Sequence, residues 1–225
     1  MTPESRSWPA TLGLLAGAWA AVAAVVVAWG WVLTNHLEGS IGAVDDDLAR
    51  QITDERTPIL TDAAEIGTYL GETRVGGIVV ALAAVVFALW KRTWLPIVFV
   101  AIVEAGLGGI YRLGIHVDPR DRPPVQSLDT GLDPQHSFPS GHVGTAMAIF
   151  LVLLSLVFAY TRASRGWGML LVVVPLACLA ARLYQGAHHL SDVLTSVVYA
   201  AAWIGIVARL VFGQRVANPS STVSA

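Results

Sequence analysis

Charged residues are scarce in this chain, and their scarcity limits what the protein can be. Asp, Glu, Lys and Arg make up 13% of its 225 residues, whereas 55% are hydrophobic. Because soluble domains of this size carry about 25% charged residues, we expect most of the chain to lie within a membrane. The formal net charge of −2 gives no general affinity for nucleic acid. We therefore expect an integral membrane protein without a nucleic-acid partner.

Cysteine is almost absent as well. Cys178 is the single cysteine, so no disulfide can form within the chain, and its apolar sequence neighbours indicate a small buried hydrophobic residue. No Cys/His spacing typical of a zinc site occurs in the sequence. Nothing in the composition therefore points to a metal centre or to another bound cofactor.

Long apolar runs take the place of charge in this sequence. A run of about 20 apolar residues suffices for a helix that crosses the hydrocarbon core of a bilayer. Six candidate spans lie at about 8–33, 75–90, 94–110, 140–160, 167–183 and 188–210. The predicted fold class is therefore all-α, a polytopic membrane bundle of six transmembrane helices.

Two of these spans have alternative interpretations. Residues Ala18-Trp19-Ala20 resemble a signal-peptide cleavage site, but the apolar run continues past them and only Arg6 precedes it, so we expect an uncleaved anchor. The second span could begin as early as Ala64, because Gly67 and Leu70 continue its apolar pattern.

The domain organisation follows from these runs. We expect a single domain over residues 1–213, with a core at about 59–210, and a disordered tail at 214–225. Residues 36–57 are polar and predict an extracytoplasmic amphipathic segment near the lipid headgroups. Its run Asp45-Asp46-Asp47 could bind a metal ion, but we favour a solvated acidic face near a helix start.

Basic residues collect on one side of the predicted membrane. With six spans, both termini share a side with two loops. Seven basic residues fall on that side: Arg6, Lys91, Arg92, Arg162, Arg165, Arg209 and Arg215. Since an excess of Lys and Arg marks the cytoplasmic face, we expect cytoplasmic termini, in the inner membrane of a bacterial cell. All six histidines then lie on the extracytoplasmic side.

The first of three polar clusters on the extracytoplasmic side is Pro139-Ser140-Gly141-His142, at the start of the fourth span. Proline favours the first turn of a helix, serine caps it, and glycine lets a ligand approach the backbone. The free N–H groups of such a helix start bind anions. An ordinary helix start with an unrelated histidine would have the same sequence.

The second cluster is Arg182-x5-His188-x3-Asp192. On a helix, His188 and Asp192 would share one face, and the carboxylate would fix the tautomer that leaves a nucleophilic ring nitrogen. Arg182, across a turn that contains Gly186, offers a planar fork suited to phosphate oxygens. The alternative is an interfacial histidine and a helix-capping aspartate.

Two further features are weaker when taken alone. Arg122-Pro123 is the third cluster, and an arginine in a loop is usually only solvated. Glu104 lies at membrane depth in the third span, where an ionisable residue is either functional or paired within the bundle.

In this order, the three clusters resemble the signature of the phosphatidic acid phosphatase type 2 superfamily: Lys-x6-Arg-Pro, Pro-Ser-Gly-His and Ser-Arg-x5-His-x3-Asp. Two positions depart from it. Ala181 stands in place of the serine, and Ile115 stands in place of the lysine. Of the nearby basic residues Arg112, His116 and Arg120, we favour Arg112 as the replacement, because it lies about one helical turn before Ile115.

The resemblance implies a reaction through the second histidine. His188 attacks phosphorus and becomes a phosphohistidine, Asp192 orients His188, and His142 protonates the leaving oxygen and later activates water. The groups implied to hold the phosphate oxygens are Arg122, Arg182, Ser140 and the Gly141 N–H, with Arg112 as the replaced clamp. Arginines and a helix start can stabilise this charge without a metal, so we expect no metal requirement.

His189 provides an internal comparison at this stage. On a helix it would point about 100° away from His188, so we expect it to be largely dispensable.

The resemblance also implies a membrane lipid phosphatase. Its substrate would be a lipid phosphate or diphosphate, such as a polyprenyl diphosphate, phosphatidic acid, phosphatidylglycerol phosphate or a prenyl-linked sugar phosphate. No obligate protein partner is expected. A lipid phosphotransferase on the same scaffold stays open, and so does a small transporter with a histidine proton path, for which Glu104 is the best support.

Overall fold

The structure, a computed structural model, describes residues 7–161 and 170–213. Over these ranges the chain forms eight α-helices and no β-strand. They are α1 (Trp8–Asn35), α2 (Ala43–Asp54), α3 (Pro58–Leu70), α4 (Thr73–Lys91), α5 (Leu95–Val117), α6 (Gly141–Tyr160), α7 (Val173–Tyr184) and α8 (Leu190–Phe212). A π-helical turn, Glu38–Gly42, leads into α2, and a 3₁₀ turn, Leu170–Val172, leads into α7.

Most of these helices have the length and composition of membrane spans. Helices α1, α4, α5, α6 and α8 are long and apolar enough to cross a membrane, and Leu170–Tyr184 forms a shorter apolar helix. The prediction of an all-α polytopic membrane bundle is confirmed. Several predicted features lie outside the described residues: Arg6, the basic turn at 162–165, the start of the fifth span at Trp167 and the tail at 214–225.

Two predicted boundaries are wrong. The early extension of the second span is a separate helix, α3, because the chain turns at Gly71-Glu72 before α4 begins. The third span does not end near Ile110 but continues as α5 to Val117, because the residues after Ile110 include no proline and a single glycine, Gly114. Arg112 and His116 therefore lie on a helix rather than in the polar loop.

Helix α6 lies at the centre of the bundle. Its inward residues Val143, Ala146, Val152 and Leu156 are fully buried, and it packs against α4, α7 and α8. Such close packing of small and branched residues is typical of helix contacts in membranes. The centre of the bundle thus fixes the start of α6, which carries the Pro-Ser-Gly-His cluster.

Two buried or half-buried indoles tie neighbouring helices to α5. Trp19 of α1 donates its Nε1–H to the carbonyl of Gly106 at 3.0 Å. Trp203 of α8 donates to the carbonyl of Val103 at 3.2 Å. These bonds hold α5, which carries Glu104 and Arg112, in a fixed place beside α1 and α8.

The prediction of a solvated acidic face on helix α2 holds for Asp47 but not for Asp45. The Asp47 side chain is 68% exposed and pairs with Arg50, as expected for a solvated acidic face. Asp45 is only 4% exposed, so the interpretation as a solvated face is wrong there. The reason is an arginine from a distant loop, Arg120, which lies 3.0 Å from Asp45.

The loop 118–140 and the turn 185–189 bring the polar clusters together. The Leu128 N–H donates to the carbonyl of Gln185 at 3.0 Å, and the Ser137 N–H donates to the carbonyl of Arg120 at 3.1 Å. The turn depends on Gly186, whose φ of +68° is unfavourable for a residue with a side chain. This turn delivers His188 to the site.

Candidate active site

One cavity of about 370 Å³ brings together residues from all three clusters. Its lining includes Glu104, Arg112, Arg122, Gly141, His142 and His188. Four hydroxyl-bearing residues also line the cavity, which lies between α4, α5, α6 and α8: Thr73, Tyr111, Thr145 and Tyr199. The convergence that the span count predicts is therefore present in the fold.

His188 is buried, and a backbone carbonyl of the loop 118–140 holds its ring. Its Nδ1 lies 2.7 Å from the carbonyl oxygen of Ser137. Because a carbonyl can only accept, Nδ1 carries the proton and Nε2 keeps its lone pair. Burial lowers the pKa of His188 well below its usual range, and the nearby charge of Arg182 lowers it further. A neutral imidazole with a free Nε2 lone pair can act as a nucleophile.

Asp192 lies behind His188 but does not bond to it directly. Its Oδ2 accepts from the Ser137 hydroxyl at 2.6 Å, and its Oδ1 accepts from Arg120 at 2.5 Å. The distance from Oδ2 to Nδ1 of His188 is 3.9 Å. Ser137 thus bridges the two residues, with its hydroxyl on Asp192 and its carbonyl on His188.

The helical premise for this cluster is wrong because α8 begins only at Leu190. His189 is the N-cap of α8, and Asp192 accepts its backbone N–H at 2.9 Å as a capping residue. The His189 ring lies 3.3 Å from Asp192 and 3.2 Å from Asp46. His189 therefore contacts the cluster instead of pointing 100° away from it.

Arg182 has the environment of an anion-binding side chain. It is fully buried, and its Nη1 donates to Asp129 at 2.9 Å and to Gln185 at 3.0 Å. Nε and Nη2 have no hydrogen-bond partner among the described residues. Buried N–H groups of a charged residue are costly without an acceptor, so these donors are suited to phosphate oxygens.

Arg122 contributes a second positive charge to the cavity wall. It donates to the carbonyls of Asp133 at 2.7 Å and His136 at 2.9 Å, and also to the carbonyl of Ala187. Burial and the charge of Arg182 both lower the pKa of Arg122. The two guanidinium groups repel each other and create a positive potential at the cavity, which favours an anionic ligand.

The start of α6 completes the anion site. Ser140 is fully buried and caps the helix, with its Oγ accepting the Val143 N–H at 3.5 Å. Gly141 lies against the ring of Tyr111, where a side chain would crowd that ring. Gly141 and His142 line the cavity at the positive end of the helix.

Comparison with known proteins shows the family to which the chain belongs. The family model described as the PAP2 superfamily matches residues 93–215. The chain belongs to the PAP2 superfamily. The family predicted from the three clusters is thereby confirmed, and the match begins at α5, so helices α1 to α4 lie outside it.

A solved PAP2 structure has a similar fold. It is a transmembrane PAP2-type phosphatidylglycerolphosphate phosphatase from Bacillus subtilis, with a TM-score of 0.69 and 19% sequence identity. The likeness covers 86% of this chain and 92% of that one. No functionally curated protein gives a significant sequence match.

The structure separates the three basic candidates for the missing lysine of the PAP2 signature. Arg112 lines the cavity, whereas Arg120 is buried against Asp45 and Asp192. His116 is exposed and stacks edge-on against His136. Arg112 is therefore the candidate that shares the cavity with Arg122 and His188.

Sequence reasoning missed several groups of this PAP2 site. Asp129, Ser137 and Gln185 hold Arg182, His188 and Asp192, yet no spacing in the sequence marks them. Their position next to the signature motifs was the only available signal. Glu104, which the sequence did mark, lines the cavity, and its Oε1 has no hydrogen-bond partner within the described ranges.

Proposed function

We propose that this PAP2 protein is a metal-independent membrane lipid phosphatase that works through a phosphohistidine on His188. Two buried side chains carry the proposal: His188, whose Nδ1 is held by the Ser137 carbonyl, and Arg182, whose Nε and Nη2 are free to donate to phosphate oxygens. His188 and Arg122 line one cavity, and the charge of the buried Arg182 acts on both of them. This arrangement suits phosphoryl transfer, which depends mainly on positioning and charge stabilisation.

In the first step, Nε2 of His188 forms a bond to phosphorus while the bond from phosphorus to the leaving oxygen breaks. Arg122, Arg182 and the start of α6 hold the other phosphate oxygens. His142 gives a proton to the leaving oxygen. The positive charge that develops on the His188 ring lies near Asp192, and the Nδ1–H bond to the Ser137 carbonyl keeps the ring in place.

In the second step, water replaces the lipid as the attacking group. His142, now neutral, takes a proton from that water, the new oxygen–phosphorus bond forms, and the nitrogen–phosphorus bond breaks. Inorganic phosphate leaves and both histidines return to their starting states. Transfer to a lipid alcohol would be the phosphotransferase alternative, and phosphate release without an acceptor distinguishes the two.

The substrate we propose is a lipid phosphate or diphosphate reached at the extracytoplasmic face. The phosphatidylglycerolphosphate phosphatase named above makes that lipid class one candidate, and polyprenyl diphosphate and phosphatidic acid are others. The charge distribution of the loops supports cytoplasmic termini and an extracytoplasmic site. The cavity of about 370 Å³ has room for a phosphate headgroup, while the chains of the lipid would stay in the bilayer.

Phosphate release in detergent tests the function and the absence of a metal together. The purified protein should release inorganic phosphate from at least one of a panel of these lipids. Addition of about 10 mM EDTA should change the rate by less than about twofold, because arginines supply the charge stabilisation. Loss of activity in EDTA that returns on adding magnesium would contradict the metal-free mechanism.

Alanine substitutions at Arg112 and Arg120 are expected to have different effects, one on KM and the other on stability. Arg112→Ala should raise KM about tenfold or more with little change in thermal stability, because it removes a charge from the cavity wall. Arg120→Ala should lower the free energy of unfolding by about 3–5 kcal/mol, because it leaves buried Asp45 and Asp192 without their cation.

Steady-state kinetics and thermal unfolding of both variants in the same detergent provide the check. Arg112 would lose its assignment if its variant kept a normal KM while a folded Arg120→Ala protein did not.

A further inference from the structure

We propose that Asp45, on the acidic helix α2, is a positioning residue that acts on His188 through Arg120 and Asp192. This inference rests on the proposed function, because it assigns Asp45 a role behind the phosphohistidine. Asp45 lies outside the region matched by the PAP2 family model. It thus represents a contribution of the N-terminal part of this chain to a site formed by the matched region.

A continuous buried chain of contacts carries the inference. Arg120 Nη2 lies 3.0 Å from Asp45 Oδ2, and its Nη1 lies 2.5 Å from Asp192 Oδ1. Asp192 then accepts from the hydroxyl of Ser137 at 2.6 Å. The carbonyl of Ser137 accepts from His188 at 2.7 Å. The links from α2 to the nucleophile are hydrogen bonds, except within Ser137, where covalent bonds join its hydroxyl to its carbonyl.

The aspartate also anchors α2 to the first turn of α8. Asp45 Oδ1 accepts the Ser191 backbone N–H at 3.2 Å, and Oδ2 accepts the Ser191 hydroxyl. The same hydroxyl accepts from Arg120 at 2.7 Å. Both carboxylate oxygens of Asp45 therefore accept hydrogen bonds, which restricts the orientation of its side chain, as a positioning residue requires.

Charge explains why an aspartate is needed at this position. Arg120 stays protonated: burial alone would lower its pKa, but the charge of Asp192 and the hydrogen bonds that Arg120 donates to both aspartates raise the pKa above its usual value. Arg120 and Asp192 without Asp45 would form a neutral pair. With Asp45 the triad carries one net negative charge, so the negative charge on Asp192 is not cancelled.

That negative charge matters during the first chemical step. The His188 ring becomes positive as its Nε2 bonds to phosphorus, and Arg122 and Arg182 already make the cavity positive. Because His188 is buried, a net negative group with an oxygen 3.9 Å from Nδ1 of the ring stabilises the charged ring. Asp45 should therefore affect the rate of phosphoryl transfer more than the binding of substrate.

Asp47, two positions after Asp45, supplies a matched control on the same helix. Its side chain is 68% exposed and pairs only with Arg50 among the described residues. Asp45→Asn removes the buried charge and keeps the shape of the side chain, and Asp47→Asn makes the same chemical change at the surface. Asp45→Glu keeps the charge but has a longer side chain in a buried site.

The test is steady-state phosphate release by the full-length wild type, Asp45→Asn, Asp45→Glu and Asp47→Asn, with thermal unfolding measured on each. We expect Asp45→Asn to lower kcat about 10- to 100-fold, as for groups that orient a reacting residue without touching the substrate, with KM changed less than about threefold. Asp47→Asn should match the wild type. Asp45→Glu should retain more activity than Asp45→Asn, even where it is the less stable of the two.

Several outcomes would overturn the inference. One is a normal kcat in folded Asp45→Asn. Another is a kcat that falls with thermal stability across the Asp45 variants, whether or not the variant keeps the negative charge. Asp45→Ser serves as a second neutral variant, and if neither neutral variant folds, Asp45 has a purely structural role. These results differ from failure of the proposed function, in which wild type releases no phosphate or His188→Ala keeps full activity.

Discussion

Replacement of His188 by alanine is expected to lower kcat/KM for phosphate release by about 10⁴-fold or more, because the reaction loses its nucleophile. The fold should survive. His188 lies in the turn before α8 and makes one side-chain hydrogen bond to the Ser137 carbonyl, whereas the capping of α8 depends on His189 and Asp192. The variant should therefore unfold within a few degrees of the wild type and show almost no turnover.

The measurement is phosphate release from the best lipid of the panel, together with trapping of the phosphoenzyme from a labelled substrate. His36→Ala is a suitable control, because His36 is exposed and stacks edge-on against Trp31 away from the cavity. Labelled protein should be found for the wild type and the His36 variant but not for His188→Ala. Normal turnover by His188→Ala would rule out the phosphohistidine.

His189→Ala belongs in the same series with a revised expectation. Its contacts with Asp46 and Asp192 imply a moderate loss of stability and activity, smaller than that of His188→Ala.

The second large effect is expected at Arg182. Arg182→Lys keeps the positive charge but removes the planar fork, so it should lower kcat/KM about 100- to 1,000-fold, the range found for loss of an oxyanion donor. Its unpaired Nε and Nη2 are the donors that a lysine cannot replace. Because Arg182 is the only cation within hydrogen-bond distance of Asp129 in the described parts of the chain, retention of charge should limit the structural damage.

Kinetics and thermal unfolding of Arg182→Lys measure this effect, with Arg50→Lys as the matched control at a side chain that is 52% exposed. Inhibition by inorganic phosphate or vanadate gives a second readout, which should weaken in the Arg182 variant and stay unchanged in the control. An Arg182→Lys protein with wild-type kinetics would remove Arg182 from the phosphate site.

The fold class could be predicted from sequence because it depends on a strong local signal. A long apolar run can satisfy its backbone hydrogen bonds within a bilayer only as a helix, and polar segments separate the runs. The boundary errors came from weaker signals. Helix α3 merges with α4 in composition, and only the turn at Gly71-Glu72 separates them, whereas α5 continues through polar residues that resemble a loop.

The site was predictable to the extent that its residues lie in fixed local patterns. The Pro-Ser-Gly-His cluster and the Arg-His-Asp cluster have spacings that identify them, and His142 and His188 do share a cavity. Their hydrogen-bond partners were not predictable in the same way. The residue that holds His188 is Ser137, 51 positions earlier in the chain, and it does so through a backbone carbonyl that every residue possesses.

Asp45 and Asp47 show the same limit in a single helix. They are the same residue type two positions apart, so composition and charge pattern treat them alike. One is exposed and the other is buried because Arg120, 75 positions away, reaches only Asp45. Burial of a charged residue depends on its long-range partner, and that partner becomes visible only in the folded chain.

The hydrogen bonds of Arg122 have a practical consequence for redesign. Its guanidinium binds the main-chain carbonyls of Asp133, His136 and Ala187, and a carbonyl presents the same oxygen whatever side chain follows it. The loop and the turn are thus joined through atoms that mutation does not alter. Side chains of the loop can therefore be exchanged without removing the acceptors of these three hydrogen bonds, provided that Arg122 itself is left in place.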